Sequence, residues 1–110
     1  MSLRSDANEL VAVLCGVVRA LGGFTGRQAN YTASLATRLK PLVVAFERAV
    51  VQSQSREEAT AVLDDIRPLM AEVSGAATKG EMQIFSDDML SRYQQLATVF
   101  QESGYAGHSL

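Results

Sequence analysis

The chain has 110 residues, 47% of them apolar and 20% charged, with a formal net charge of −2. That length fits a single domain able to bury about 65% of the surface its unfolded form exposes, and the composition excludes wholesale disorder. A lone cysteine, Cys15, excludes an internal disulfide or cysteine-cluster metal site and fits a reducing, cytoplasmic compartment, while the negative charge gives no general attraction to nucleic acid or anionic lipid.

A first helix is predicted over residues 6–21. Asp6 and Glu9 have the spacing of a capping box, with Ser5 as a rival cap, and Gly22-Gly23 supplies the stop. Between them LVAVLCGVVRAL (residues 10–21) is apolar on almost every side; its caps and length favour helix over a buried strand. The run is too short to cross a bilayer, and Asp6 and Glu9 stand where a secretion signal would be basic. No membrane association is expected.

A second helix is predicted over 26–52. Thr25 and Gln28 form another capping box, with Phe24 placed as its hydrophobic staple. Tyr31, Leu35, Leu39, Leu42, Phe46 and Val50 then recur at three- and four-residue steps, the spacing of one helical face. Pro41 falls inside this run. It lacks the N–H that would reach the Thr37 carbonyl, a cost of about 3 kcal/mol in a helix interior. Because the stripe keeps its phase from Leu39 to Leu42 to Phe46, one kinked helix is expected; a fresh helix with Pro41 in its first turn is the rival.

Ser55 and Glu58 open a third helix, predicted over 56–74, with the stripe Ala59, Val62, Leu63, Ile66, Leu69, Met70 and Val73. Pro68 lies inside it, again without loss of phase, and Ser74-Gly75 is its expected end. A fourth helix is predicted over 81–102, after Lys79-Gly80. Met82, Phe85, Met89, Tyr93, Leu96 and Phe100 form its single apolar stripe, although Ser86-Asp87-Asp88 offers the cap of a shorter helix. Residues 103–110 read as a loose tail.

The residues suited to catalysis are few. His108, the only histidine, lies in the tail, away from any rigid scaffold, and Cys15 sits in an apolar run where cysteine acts as a small hydrophobe. The doublets Glu57-Glu58, Asp64-Asp65 and Asp87-Asp88 point their side chains about 100° apart on a helix, so none is a convergent pair. No Glu-x-x-His motif and no phosphate-binding glycine loop occurs; GGFTGR with Arg27 is only a weak anion site at a helix start. No catalytic, cofactor-binding or metal-binding residue is assigned, and no enzyme is expected.

Charge is unevenly spread. Residues 19–48 carry Arg19, Arg27, Arg38, Lys40 and Arg48 against Glu47 alone, whereas residues 49–110 hold four basic residues against nine acidic ones. The two halves are complementary and are expected to face each other within the fold or across a dimer. A small DNA-binding regulator using the basic segment 19–48, with Thr32 to Lys40 as recognition helix, is the alternative function. Five cations over 30 positions are sparse for phosphate neutralisation.

The expected fold is therefore an all-α bundle of about four helices, two of them kinked at proline. The first helix and the stretch LVVAFERAVV (residues 42–51) carry more apolar surface than one bundle encloses, so a homodimer is expected, with Leu42, Val43, Phe46 and Val50 as its core or dimer contacts. The expected function is a non-catalytic regulator, an adaptor, chaperone or inhibitor that masks another protein's interface. Met82, Phe85, Met89, Tyr93, Leu96 and Phe100 form its candidate contact stripe.

Overall fold

Four runs of apolar residues at helical spacing become four helices. The computed structural model describes residues 3–23, 29–78 and 87–101, which form α1 (Leu3–Gly23), α2 (Ala29–Val51), α3 (Arg56–Thr78) and α4 (Asp87–Gln101). Among the described residues there is no strand, and no helix is long and apolar enough to cross a membrane. The molecule measures 45 × 22 × 19 Å. Its cross-section is that of helices packed two by two at about 10 Å between axes.

The helix ends differ from the predicted ones in instructive ways. α1 begins at Leu3, which places Asp6 in its first turn, where a carboxylate complements the helix dipole, instead of at the cap. Gly22 and Gly23 close α1 from inside its last turn. α3 passes the expected stop at Ser74-Gly75 and reaches Thr78. Gly75 costs that helix about 1 kcal/mol relative to alanine, and the strong helix formers Ala76 and Ala77 follow at once. α4 opens at Asp87, next to the alternative cap Ser86; the earlier part of its predicted span, like the capping box of Thr25 and Gln28, lies outside the described residues.

The α2–α3 corner is built as its sequence suggests. The Glu58 amide donates to Ser55 Oγ at 3.2 Å, the N-cap half of the predicted capping box. The Ser55 amide itself donates to the Ala49 carbonyl at 3.1 Å. Gln52 and Ser53 both donate to the Arg48 carbonyl, which ends α2, and Gln54 turns the chain with a left-handed φ of 49°.

Both prolines lie within their helices: α2 continues through Pro41 and α3 through Pro68. Pro41 and Pro68 are exposed, as are Thr37 and Asp64, whose carbonyls lose their usual amide partner. A solvent face is where the loss of such a bond costs least, because water can reach the carbonyl.

Packing follows the stripes. α1 lies along α2 on one side and α4 on the other, α2 also lies along α3, and α3 and α4 touch only sparsely. Glu9 pairs with Arg92 while Gly16 faces Met89, so α4 runs antiparallel to α1. The core takes Ala7, Leu10, Leu14, Val17 and Leu21 from α1, Leu35, Leu39, Val43, Phe46 and Val50 from α2, and Ala59, Leu63, Ile66, Met70 and Val73 from α3. Tyr93, Leu96 and Ala97 complete it from α4.

The apolar excess expected from the sequence is much reduced by this arrangement. Val11, Val13, Cys15 and Val18 are half-buried and packed against the core, so α1, with a neighbour on each side, presents only a narrow strip that includes Ser5, Asn8, Ala12 and Arg19. Among the described residues the exposed large hydrophobic side chains are Val44, at 45% exposure, and Val51, at 50%.

Two substitutions test this account. Phe46→Ala empties a fully buried site and should lower unfolding free energy by about 3–5 kcal/mol in urea titration. Ser55→Ala removes the cap of α3 and should cost about 1 kcal/mol by the same measurement.

Candidate functional site

Two polar clusters fasten the bundle, and both are structural in their geometry. On one flank, Arg92 of α4 forks onto Glu9 of α1, Nε to Oε1 and Nη2 to Oε2, each at 2.6 Å. The hydrogen bond from Arg92 holds the Glu9 carboxyl below its ordinary range, partly opposed by desolvation, and the same bond raises the guanidinium. On the other flank, Tyr31 Oη donates to Glu72 Oε1 at 2.8 Å and Arg38 Nη2 reaches the same oxygen at 3.3 Å. The Tyr31 bond is the main reason the Glu72 carboxyl is lowered and the Tyr31 phenol raised. Arg38 and Glu72 come from the basic and acidic halves of the chain, so in this pair the two halves meet within one copy.

Neither cluster offers a poised acid and base or an open centre. Among the described residues no group of three His, Cys, Asp or Glu side chains could hold a metal ion. Cys15 is half-buried against the core, and His108 lies outside the described residues.

Among the described residues, a concave feature of the surface lies where α3 and α4 fail to close. This seam is a groove of about 620 Å³ lined by Arg67, Met70, Ala71, Ser74 and Gly75 of α3 and by Leu90, Tyr93, Gln94, Ala97 and Thr98 of α4. It follows about two turns of each helix. Its origin is side-chain size. Ala71, Ser74, Gly75 and Ala97 stand where larger residues would have bridged the two helices, and Met70, Leu90 and Tyr93 form an apolar floor that is only partly roofed. Burial raises the Tyr93 phenol, and the nearby Arg67 guanidinium offsets part of that rise.

The sequence-derived contact residues divide around this groove. Tyr93, at 7% exposure, and Leu96, at 3%, belong to the core of the chain itself. Met89 is half-buried, its methyl carbon 3.6 Å from the position of a Cβ on Gly16. Met82, Phe85 and the side chain of Phe100 lie outside the described residues. Val43, Phe46 and Val50 are core residues, with Leu42 half-buried beside them. Among the described residues of the predicted stripe, Tyr93 alone lines the groove; the α3 wall, from Arg67 to Gly75, was missed. The signal available was the small-residue spacing Ala71, Ser74, Gly75, but the sequence does not say which helix lies opposite.

The Glu9–Arg92 fork ties α4 to α1, and its pH dependence follows from the lowered carboxyl. Glu9 has its ordinary value near 4.5 when unfolded and a lower one when folded, so its contribution is present above the unfolded value. It is lost as pH falls through the folded value. Glu9→Gln should therefore destabilise the protein near neutral pH, and the gap from wild type should shrink on acidification, as read by urea unfolding across that range. A gap that stays constant to about pH 3 would remove the fork from the acid response.

Comparison with known proteins adds no relative: no family model, no curated protein and no solved structure matches the chain.

Proposed function

We propose that the protein is a non-catalytic binding module, an adaptor, chaperone or inhibitor that covers an interface of another protein, and that it binds at the α3–α4 seam. The observation that carries this reading is the seam itself. It is a groove walled by two helices, with Met70, Leu90 and Tyr93 at its base and polar groups along its edges, in a bundle whose other neighbouring helices are closed on one another. An amphipathic helix laid along such a groove buries its apolar face and meets polar partners at the rim.

Self-association belongs to the same proposal, on a different face. Val44 and Val51 lie two turns apart on the outward side of α2, next to exposed Pro41 and Arg48, and a twofold axis there would cover both valines. The bends expected at Pro41 and Pro68 also fit, since both rings face solvent and each would curve its helix around the core. The compartment proposed is the cytoplasm.

The DNA-binding alternative gains no support from the placement of its residues. Thr32 is buried with its hydroxyl on the Ala29 carbonyl, Thr37 donates to the Ala33 carbonyl, and Arg38 is engaged by Glu72. Arg19, Lys40 and Arg48 remain as exposed cations among the described residues of the basic segment.

The test is capture from native lysate by tagged full-length chain, with Ala71→Trp as the blocked control; Ala71 is exposed, so the added ring fills the groove without entering the core. Wild type should retain a discrete protein that Ala71→Trp loses, while Val44→Asp with Val51→Asp leaves capture intact and yields monomer by sedimentation. Equal capture by wild type and Ala71→Trp would remove the seam as the binding site.

A further inference from the structure

The outward face of α2 carries apolar and charged residues in a symmetrical order. Val44 and Val51, the exposed large hydrophobic side chains among the described residues, are 45% and 50% exposed and stand two turns apart. At about 100° per residue, Lys40 and Glu47 lie on one side of the line joining the valines. Thr37, Pro41 and Arg48 lie on the other side, and all five are exposed. Arg38 turns to Glu72 on the α3 side, where α3 also exposes Glu57, Glu58, Asp64 and Asp65, and Arg19 is exposed on α1. These groups stand farther from the valine line than Lys40, Glu47 and Arg48, so the latter three decide how another molecule fits against the stripe.

We propose that α2 pairs with α2 of a second copy of this chain, antiparallel, with the twofold axis beside Val44 and Lys40 of each copy against Glu47 of the other. This rests on the reading of that face as the site of self-association and adds its orientation, its register and the charges that select them. In a twofold antiparallel pair, each flank of the helix meets the same flank of the second copy. An axis beside Val44 brings the two Val44 side chains together and sets each Lys40 opposite a Glu47, giving two unlike pairs. Each Val51 then falls on Ala33 and Thr37 of the other copy. Both are small, and the Thr37 hydroxyl already donates to the Ala33 carbonyl at 2.9 Å. On the other flank Arg48 reaches the level of Thr37 and Pro41 of the second copy. The Thr37 carbonyl lacks its amide partner because of Pro41, and the guanidinium supplies a donor.

Other arrangements of the same stripe lose these contacts. An axis midway between Val44 and Val51 sets Glu47 against Glu47 and Arg48 against Arg48. A parallel pair joins Glu47 to Arg48 but sets Lys40 beside Lys40. Like charges brought together at an interface select against both.

The test is sedimentation equilibrium of the full-length chain and of variants at these exposed positions, each checked for folding by circular dichroism. Wild type should dimerise, and Lys40→Glu or Glu47→Lys alone should weaken the dimer by about tenfold. The double variant Lys40→Glu with Glu47→Lys should return to within about threefold of wild type, because the two changes couple across the interface. An equimolar mixture of the two single variants should form a mixed dimer. In a Cys15→Ser background, Val44→Cys should cross-link two copies on oxidation and Val51→Cys should not.

A double charge variant as weak as the single ones, or cross-linking of Val51→Cys as readily as Val44→Cys, overturns this register. Loss of the dimer in Val44→Asp with Val51→Asp then leaves the α2 face as the site of self-association. If that variant still dimerises, or if wild type is a monomer at every concentration, the register and self-association at this face both fall. Capture at the seam is read separately by Ala71→Trp, because no residue of this stripe lines the groove.

Discussion

The structure depends on the position of α1 between α2 and α4. Its buried stripe, Ala7, Leu10, Leu14, Val17 and Leu21, supplies the wall on which both neighbours pack. Among the described residues α4 has little else to hold it, because it touches α3 only sparsely. Met89 against Gly16, Leu96 and Tyr93 in the core, and the Arg92 fork on Glu9 are therefore the contacts that decide whether α4 stays folded onto the bundle. Each of these is weaker than a full helix–helix seam. An exposed ion pair, even a bidentate one, contributes little by itself, so hydrophobic burial by Tyr93, Leu96 and Ala97 must supply most of the attachment.

Much of this fold was legible because helical periodicity fixes which residues share a face. In α2 the stripe read from spacing alone contains Leu35, Leu39, Phe46 and Val50, all buried, with Tyr31 and Leu42 half-buried at its edge. The continuity of the same phase across Pro41 and Pro68 correctly indicated that neither proline ends its helix. Periodicity does not say what a face meets. The stripe of α4 contains Tyr93 and Leu96, which the sequence alone could assign equally to a core or to a partner, and both turn inward. The Glu9–Arg92 fork joins residues 83 positions apart at unexceptional sites, so no local pattern announced it.

The expected excess of apolar surface is smaller among the described residues for a related reason. A helix that is apolar nearly all round calls for burial on every side, yet α1 is satisfied by two flanking helices and a narrow outer strip of small and polar residues. Flanking neighbours cover a wider arc than a count of apolar residues suggests, since half-buried Val11, Val13 and Val18 already lose most of their contact with water. What a sequence shows poorly is deficit, not excess. The seam exists because Ala71, Ser74, Gly75 and Ala97 are too small to fill it, and small residues raise no periodic signal.

That deficit would link stability to any binding at the seam. Among the described residues α3 and α4 each have one well-packed neighbour, where the helices of a closed bundle have two, and an occupant of the seam would become the second for both. Any ligand that binds only the folded chain stabilises it, by about 2.7 kcal/mol when present at a hundred times its dissociation constant. Here the gain would fall on the two helices with the least support, so any binding at the seam would be thermodynamically coupled to the packing of α4.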